Sequence, residues 1–164
     1  MLQYYDSPIG LLQITADQRK LRGVALAENR TEEERPNFVT EQAVSQLKEY
    51  FAGIRREFDL FFLYHGTDFQ RLVWSKLSEI PYGKVVTYGQ LAAAIGQPTA
   101  ARAVANAVGD NPYLLLLPCH RVVGKDSLGG FTPGIEKKLW LLKHEGINFS
   151  EITDISPKFL FTFD

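Results

Sequence analysis

Apolar and polar positions alternate through the first part of the chain and then change period. Residues 2–6, 11–16 and 21–27 read as three strands, separated by Ser7-Pro8-Ile9-Gly10 and by residues 17–20, both of turn composition. The charged run 28–36, ENRTEEERP, predicts an exposed loop. Over residues 40–52 the period becomes helical, with Ala43, Val44, Leu47, Tyr50 and Phe51 on one face and Gly53 as the stop. Residues 58–64 predict a further, apolar strand. Antiparallel strands with one helix make a small α+β domain over residues 1–66, and nothing in it suggests chemistry.

Gly66 marks the expected domain boundary. Thr67 and Gln70 form a capping-box pattern that opens a helix whose buried face is Phe69, Leu72, Val73 and Leu77. Pro81-Tyr82-Gly83 stops it, and Val85-Val86 predicts a short extended piece. Two short helices follow, 88–95 stopped by Gly96 and 99–108 stopped by Gly109, with a turn of about three residues between them. That is the spacing of a helix-turn-helix and equally of an αα-hairpin in a core. The second helix, TAARAVANAVG, has Arg102 as its only charge, so it can approach another surface closely. Leu114 to Leu117, four leucines in a row, predict a fully buried strand that Pro118 ends. Residues 129–134, GGFTPG, predict a shaped loop, and residues 135–145 a last helix with Ile135, Leu139, Trp140 and Leu142 apolar and Gly146 as its stop. This second domain covers residues 67–150, and the tail 151–164 has no assigned element.

Composition narrows the class. The chain has 164 residues, 45% hydrophobic and 23% charged, which is the balance of an ordinary soluble globular protein. No apolar window is long enough to span a membrane, and the N-terminus lacks the basic-then-apolar order of a secretory signal. A net charge of −1 argues against a wholly basic nucleic-acid protein, but the charge is uneven. Residues 67–150 hold 9 Lys+Arg against 6 Asp+Glu, whereas residues 1–66 hold 8 against 10. The single cysteine makes no internal disulfide and suits a reducing cytoplasm. His65, His120 and His144 with one Cys match no zinc spacing, so no metal is expected.

That cysteine, Cys119, follows Pro118 directly and is followed by His120 and Arg121. A buried thiol can simply fill a core. A thiol next to a base and a cation can also be a nucleophile, because the thiolate is the reactive species and needs such neighbours to form. Adjacent strand residues face opposite ways, so either the backbone turns at Pro118 or a bridging water carries the proton.

Together, VVTYGQLAAAIG, AARAVANAVGDNP, LPCHRVVG and WLLKHEG, in this order and spacing, resemble the 6-O-alkylguanine-DNA alkyltransferases. The resemblance is close over residues 67–147 and looser before them. It implies an RNase H-like N-terminal domain and a helical winged-helix C-terminal domain. It also implies a suicidal repair reaction in which one alkyl group moves from guanine oxygen to Cys119. By position, His120 would be the base acting through a water, Glu145 would orient it, and Asn111 would form a hinge near the thiol. Tyr88 would donate to the base ring and crowd a phosphate. Arg102 would fill the gap in the duplex, on a DNA-facing helix surface with Ala101, Ala105 and Asn106. Val122, Phe131 and Thr132 would line the pocket for the extruded guanine, a flip that costs a few kcal/mol. Phe131 stands where the family often has tyrosine, and Pro133 where glycine is frequent. The histidine and cysteine zinc ligands that some members carry in the N-terminal domain are missing, so neither metal nor cofactor is expected. The resemblance implies a monomer acting on double-stranded DNA that carries alkylated guanine, with no membrane. Two other readings are a lesion-flagging protein, which the thiol in PCHRV opposes, and a helix-turn-helix regulator that senses alkylation.

Overall fold

In the computed structural model, which describes residues 1–148 and 157–164, the chain divides into two compact units. The first comprises Met1–Tyr64 together with Pro112–Leu116. Its sheet is an antiparallel meander of β1 (Leu2–Ser7), β2 (Gly10–Ala16) and β3 (Leu21–Leu26), paired in that order. Helix α1 (Phe38–Phe51) covers β1 and β2. Leu12, Ile14, Leu21, Ala43 and Leu47 form a solvent-free core, as the alternating and helical periods predict. The helix starts earlier than its apolar stripe, because Asn37 and Thr40 cap each other reciprocally.

Two strands expected from apolar runs are not strands. Residues 58–64 form one bridge among the described residues, Leu21 with Phe62, so they lack the ladder that defines a strand. The four leucines are buried as expected, but Leu115 turns into the left-handed region at φ 73°. That turn costs a non-glycine residue about 1–2 kcal/mol and ends any ladder. Pro112–Leu116 is held to the first unit through Tyr113, whose hydroxyl donates to the carbonyls of Leu63 (2.9 Å) and Leu21 (3.3 Å).

The second unit comprises His65–Asn111 and Leu117–Asp164. It holds α2 (Asp68–Leu77), β4 (Val86–Thr87), α3 (Tyr88–Ala94), α4 (Ala101–Gly109), β5 (Val122–Val123) and α5 (Ile135–His144). Thr67 and Gln70 do form the predicted capping box. The buried face of α2 is rotated from expectation. Leu72 is 42% exposed, and Trp74 takes the inward place because its indole N–H donates to the Ala107 carbonyl of α4 at 2.8 Å. Helices α3 and α4 pack on each other and on α2, joined by residues 95–100, a longer link than the three residues expected. Strands β4 and β5 pair in parallel and bring Val122 beside Val86. Residues 159–161 of the tail bond to Val85 from both sides, and Phe159 and Leu160 pack on Val85, Val123, Leu142 and Ile147. Residues 149–156, which span the expected boundary at 150 and the start of the tail, lie outside the described residues.

Among the described residues no helix is long and apolar enough to cross a membrane, and no group of His, Cys, Asp and Glu is arranged to hold a metal ion.

Candidate active site

Everything chemical in the sequence converges within the second unit. Beyond Pro118 the chain makes one tight turn, Cys119–Arg121, rather than continuing as a strand. All three of its side chains are buried. Of the two alternatives left by adjacent Cys and His, the backbone turn is present.

Asn111 fixes the thiol. Its side-chain Nδ2 donates to the Leu117 carbonyl at 2.7 Å and to Cys119 Sγ at 3.1 Å. Burial pushes the Cys119 thiol up, and the Asn111 bond and the charge of Lys138 pull against it. The group at rest is therefore a thiol.

The neighbouring imidazole has a carboxylate behind it. His120 Nε2 lies 2.7 Å from Glu145 Oε2, both side chains being wholly enclosed. His120 Nδ1 is buried with no hydrogen-bond partner. Glu145 also receives Arg121 Nε at 2.8 Å on Oε1, Arg121 Nη2 at 3.0 Å on Oε2, and the Gly83 amide at 3.1 Å on Oε1. Gly83 presents that amide from a turn with φ 77°, a backbone shape that glycine adopts without steric cost. Burial by itself would raise the Glu145 carboxyl, but His120 and Arg121 outweigh it and hold it well below the usual range. Burial also holds His120 below its ordinary value, despite the upward pull of Glu145. The resting pair is neutral imidazole and ionised carboxylate.

Lys138 is a site residue that the sequence reading passed over. It is wholly buried on α5 and donates to the carbonyls of Val122 (2.6 Å), Leu128 (2.6 Å) and Gly130 (3.0 Å). Desolvation brings it down to about 8, and the Cys119 charge opposes that fall. A signal for it was present, because Lys138, Leu141, Leu142 and Glu145 lie at i, i+3, i+4 and i+7, one helix face with a charge at each end. Arg121 was considered as a cation for the thiol; its guanidinium instead pairs with Glu145 and the Ile80 carbonyl.

The residues expected to line a base pocket lie in the same unit. Tyr88 donates its hydroxyl to the Gly130 carbonyl at 3.3 Å, and burial raises its phenol above the ordinary value. A Cβ at Gly129 would meet the Tyr88 ring at 2.6 Å, so only glycine fits against that ring. Thr132 donates to the Gly109 carbonyl at 3.2 Å, and Phe131 is half-buried. On α4, Val104, Ala107 and Val108 face inward, while Arg102 and Asn106 are exposed and Ala101 and Ala105 half-buried. The second unit thus holds a fixed buried thiol, a buried imidazole backed by a carboxylate, and a helix α4 that presents the exposed Arg102.

Two family models match the chain. One describes the DNA-binding domain of 6-O-methylguanine DNA methyltransferase and covers residues 68–147; the other describes its ribonuclease-like domain and covers residues 1–63. The match defines a two-domain class, a ribonuclease-like domain followed by a helical DNA-binding domain. The chain belongs to the methylated-DNA–protein-cysteine methyltransferase family. It is 41% identical over 148 residues to a probable methylated-DNA–protein-cysteine methyltransferase of Acanthamoeba polyphaga mimivirus, covering 90% of this chain and 97% of that protein. A methylated-DNA–protein-cysteine methyltransferase of Methanosarcina acetivorans is 40% identical over 149 residues, covering 87% and 96%. Among solved structures, Mycobacterium tuberculosis OGT in complex with DNA superposes with a TM-score of 0.81 at 42% identity, over 88% of this chain and 91% of that one.

Proposed function

We propose that this protein repairs DNA by moving the alkyl group of 6-O-alkylguanine onto Cys119, once per chain. The observation that carries the reading is a thiol held by Asn111 next in sequence to a buried His120 whose Nδ1 has no hydrogen-bond partner among the described residues. The sulfur–carbon bond forms as the carbon–oxygen bond of the lesion breaks. The thiol proton passes through a water to His120 Nδ1, where Glu145 stabilises the resulting imidazolium. Tyr88 donates to the departing guanine, and the imidazolium returns its proton to the phenol, so the base leaves neutral. The thioether is stable and no second thiol exists in the chain to accept the group, which makes the reaction stoichiometric.

The lesion sits inside a base stack, so the nucleotide is flipped into the pocket of Val122, Phe131 and Thr132. Helix α4 enters the groove through Ala101, Ala105 and Asn106, and Arg102 takes the vacated place. The alkyl-acceptor domain is residues 67–150. The protein works as a monomer in the cytoplasm, without metal or cofactor.

Intact mass after incubation with an oligonucleotide containing 6-O-methylguanine tests the reading. A stable gain of one methylene on Cys119, saturating at one per chain, is expected. Binding without a mass change would instead support a lesion flag. A finer test concerns Arg102. If it replaces the extruded base, its value depends on a stack being present, so Arg102→Ala slows transfer from duplex about tenfold, or ~1.4 kcal/mol. Transfer from the same lesion in a short single strand slows much less. Single-turnover rates at saturating protein remove binding from the comparison, and equal slowing on both substrates would reassign Arg102 to phosphate contact.

A further inference from the structure

The proposed chemistry needs an uncharged His120 at rest, yet a carboxylate buried against an imidazole favours the imidazolium. Two enclosed groups 2.7 Å apart, one of them Glu145, would normally recruit a proton and lock into an ion pair. An imidazolium cannot take the proton of Cys119. Burial of the ring opposes that proton, and a positive charge held on the carboxylate would oppose it further.

Arg121 is placed to do so. Its guanidinium meets both oxygens of Glu145, through Nε on Oε1 and Nη2 on Oε2, and the second of these oxygens is the one that faces His120. The fork is locked from behind by the Ile80 carbonyl at 2.8 Å and by the Tyr82 ring, whose centre lies 5.8 Å from the guanidinium carbon. The Gly83 amide is a further donor on Oε1. We infer that Arg121 is a positioning residue that cancels the charge of Glu145, so that His120 rests as a neutral base and becomes charged only during transfer. The inference rests on the proposed transfer chemistry and deepens it.

The charge count supports this. Arginine stays ionised under all relevant conditions, so the Arg121–Glu145 pair is neutral overall, and a proton on His120 adds an uncompensated charge to a buried cluster. Remove Arg121, and the cluster carries one negative charge that a proton on His120 would neutralise. Of the other titratable groups, Lys138 from α5 acts on both Cys119 and His120, and Tyr88 from α3 acts on Cys119. Lys138 opposes protonation of His120 and is unaffected by the substitution. The Tyr88 phenol is neutral at working pH.

The test is the titration of His120 in DNA-free protein, followed by imidazole 15N NMR, its signals being those missing from a His120→Gln sample. Arg121→Met should raise the His120 pKa by about one unit or more and move the acid limb of the transfer–pH profile upward by the same amount. Arg121→Lys, which keeps the charge, should hold both near wild type. The double variant Arg121→Met with Glu145→Gln removes both charges and should return His120 to a neutral resting state. Should the Met variant fail to fold, Arg121→Gln keeps a donor against Glu145 and bears the same expectation. A folded neutral variant in which His120 titrates as in wild type would overturn the inference, as would a double variant that stays raised. Neither outcome touches the mass test of transfer itself, so the two failures are separable.

Discussion

Replacing Cys119 by serine is expected to abolish alkyl transfer and leave DNA binding nearly intact. The hydroxyl is close in size to the thiol and can still accept from Asn111 Nδ2, which now donates to sulfur at 3.1 Å. The loss is chemical. A hydroxyl is a far weaker acid than a thiol, so a base of His120's strength cannot generate the alkoxide, and transfer should fall on the order of 10^4-fold or more. DNA affinity generally rests chiefly on phosphate contacts made by exposed side chains, and Cys119 is only 5% exposed. The measurement is mass gain with a methylated oligonucleotide, run beside a binding titration at fixed salt. Should binding fall as completely as transfer, Cys119 is a packing residue and the assigned chemistry is wrong.

Helix and meander elements were legible because their signals are local. The Thr67–Gln70 box acts across one turn, and the alternation in β1 to β3 reflects a sheet with one buried face. Apolar runs were less informative, because hydrophobicity reports burial and says nothing about ladder partners. Leu114 to Leu117 are buried in a turn, and residues 58–64 alternate between exposed and half-buried with only one bridge. Leu72 and Trp74 exchanged roles for a similar reason. A hydrogen bond to Ala107, thirty-three residues away, decides which of them faces in.

At the site, the Cys119, His120 and Glu145 set was legible as a pattern of residue types, and its wiring was not. The Arg121–Glu145 fork spans 24 residues, the Gly83 amide reaches Glu145 across 62, and Lys138 caps carbonyls from a loop that composition marks only as irregular. Glu145 itself carried a readable anomaly. It is the C-cap of α5, where a negative charge is mildly unfavourable against the helix dipole, a small conflict that speaks for a role beyond solvation.

Glu145→Gln should damage stability and transfer together, with pH dependences that differ. Four donors, from His120, Arg121 and Gly83, converge on two carboxylate oxygens. An amide offers one acceptor oxygen and turns its NH2 toward donors, and Arg121 is left as an uncompensated buried cation. Breaking such a pair costs about 3–5 kcal/mol near pH 7. The sign with pH follows from the carboxyl being held below its ordinary value in the folded protein. Its contribution is complete above about pH 4.3, the unfolded value, and is lost as pH falls through the folded value. The stability gap between wild type and variant, from denaturant titrations, should therefore be wide at neutral pH and narrow below about pH 4. Between about pH 6.5 and 4.3 both proteins also lose stability through His120, which is buried neutral, and the variant loses more because Arg121 stands unopposed. Transfer at neutral pH should fall about a hundredfold, since the imidazolium that receives the thiol proton is no longer stabilised. It should recover as pH rises and Cys119 ionises unaided, which shifts the rate profile upward. Wild-type transfer rates in a variant that shows the full stability loss would make Glu145 an ion-pair partner of Arg121 with no part in activating the thiol.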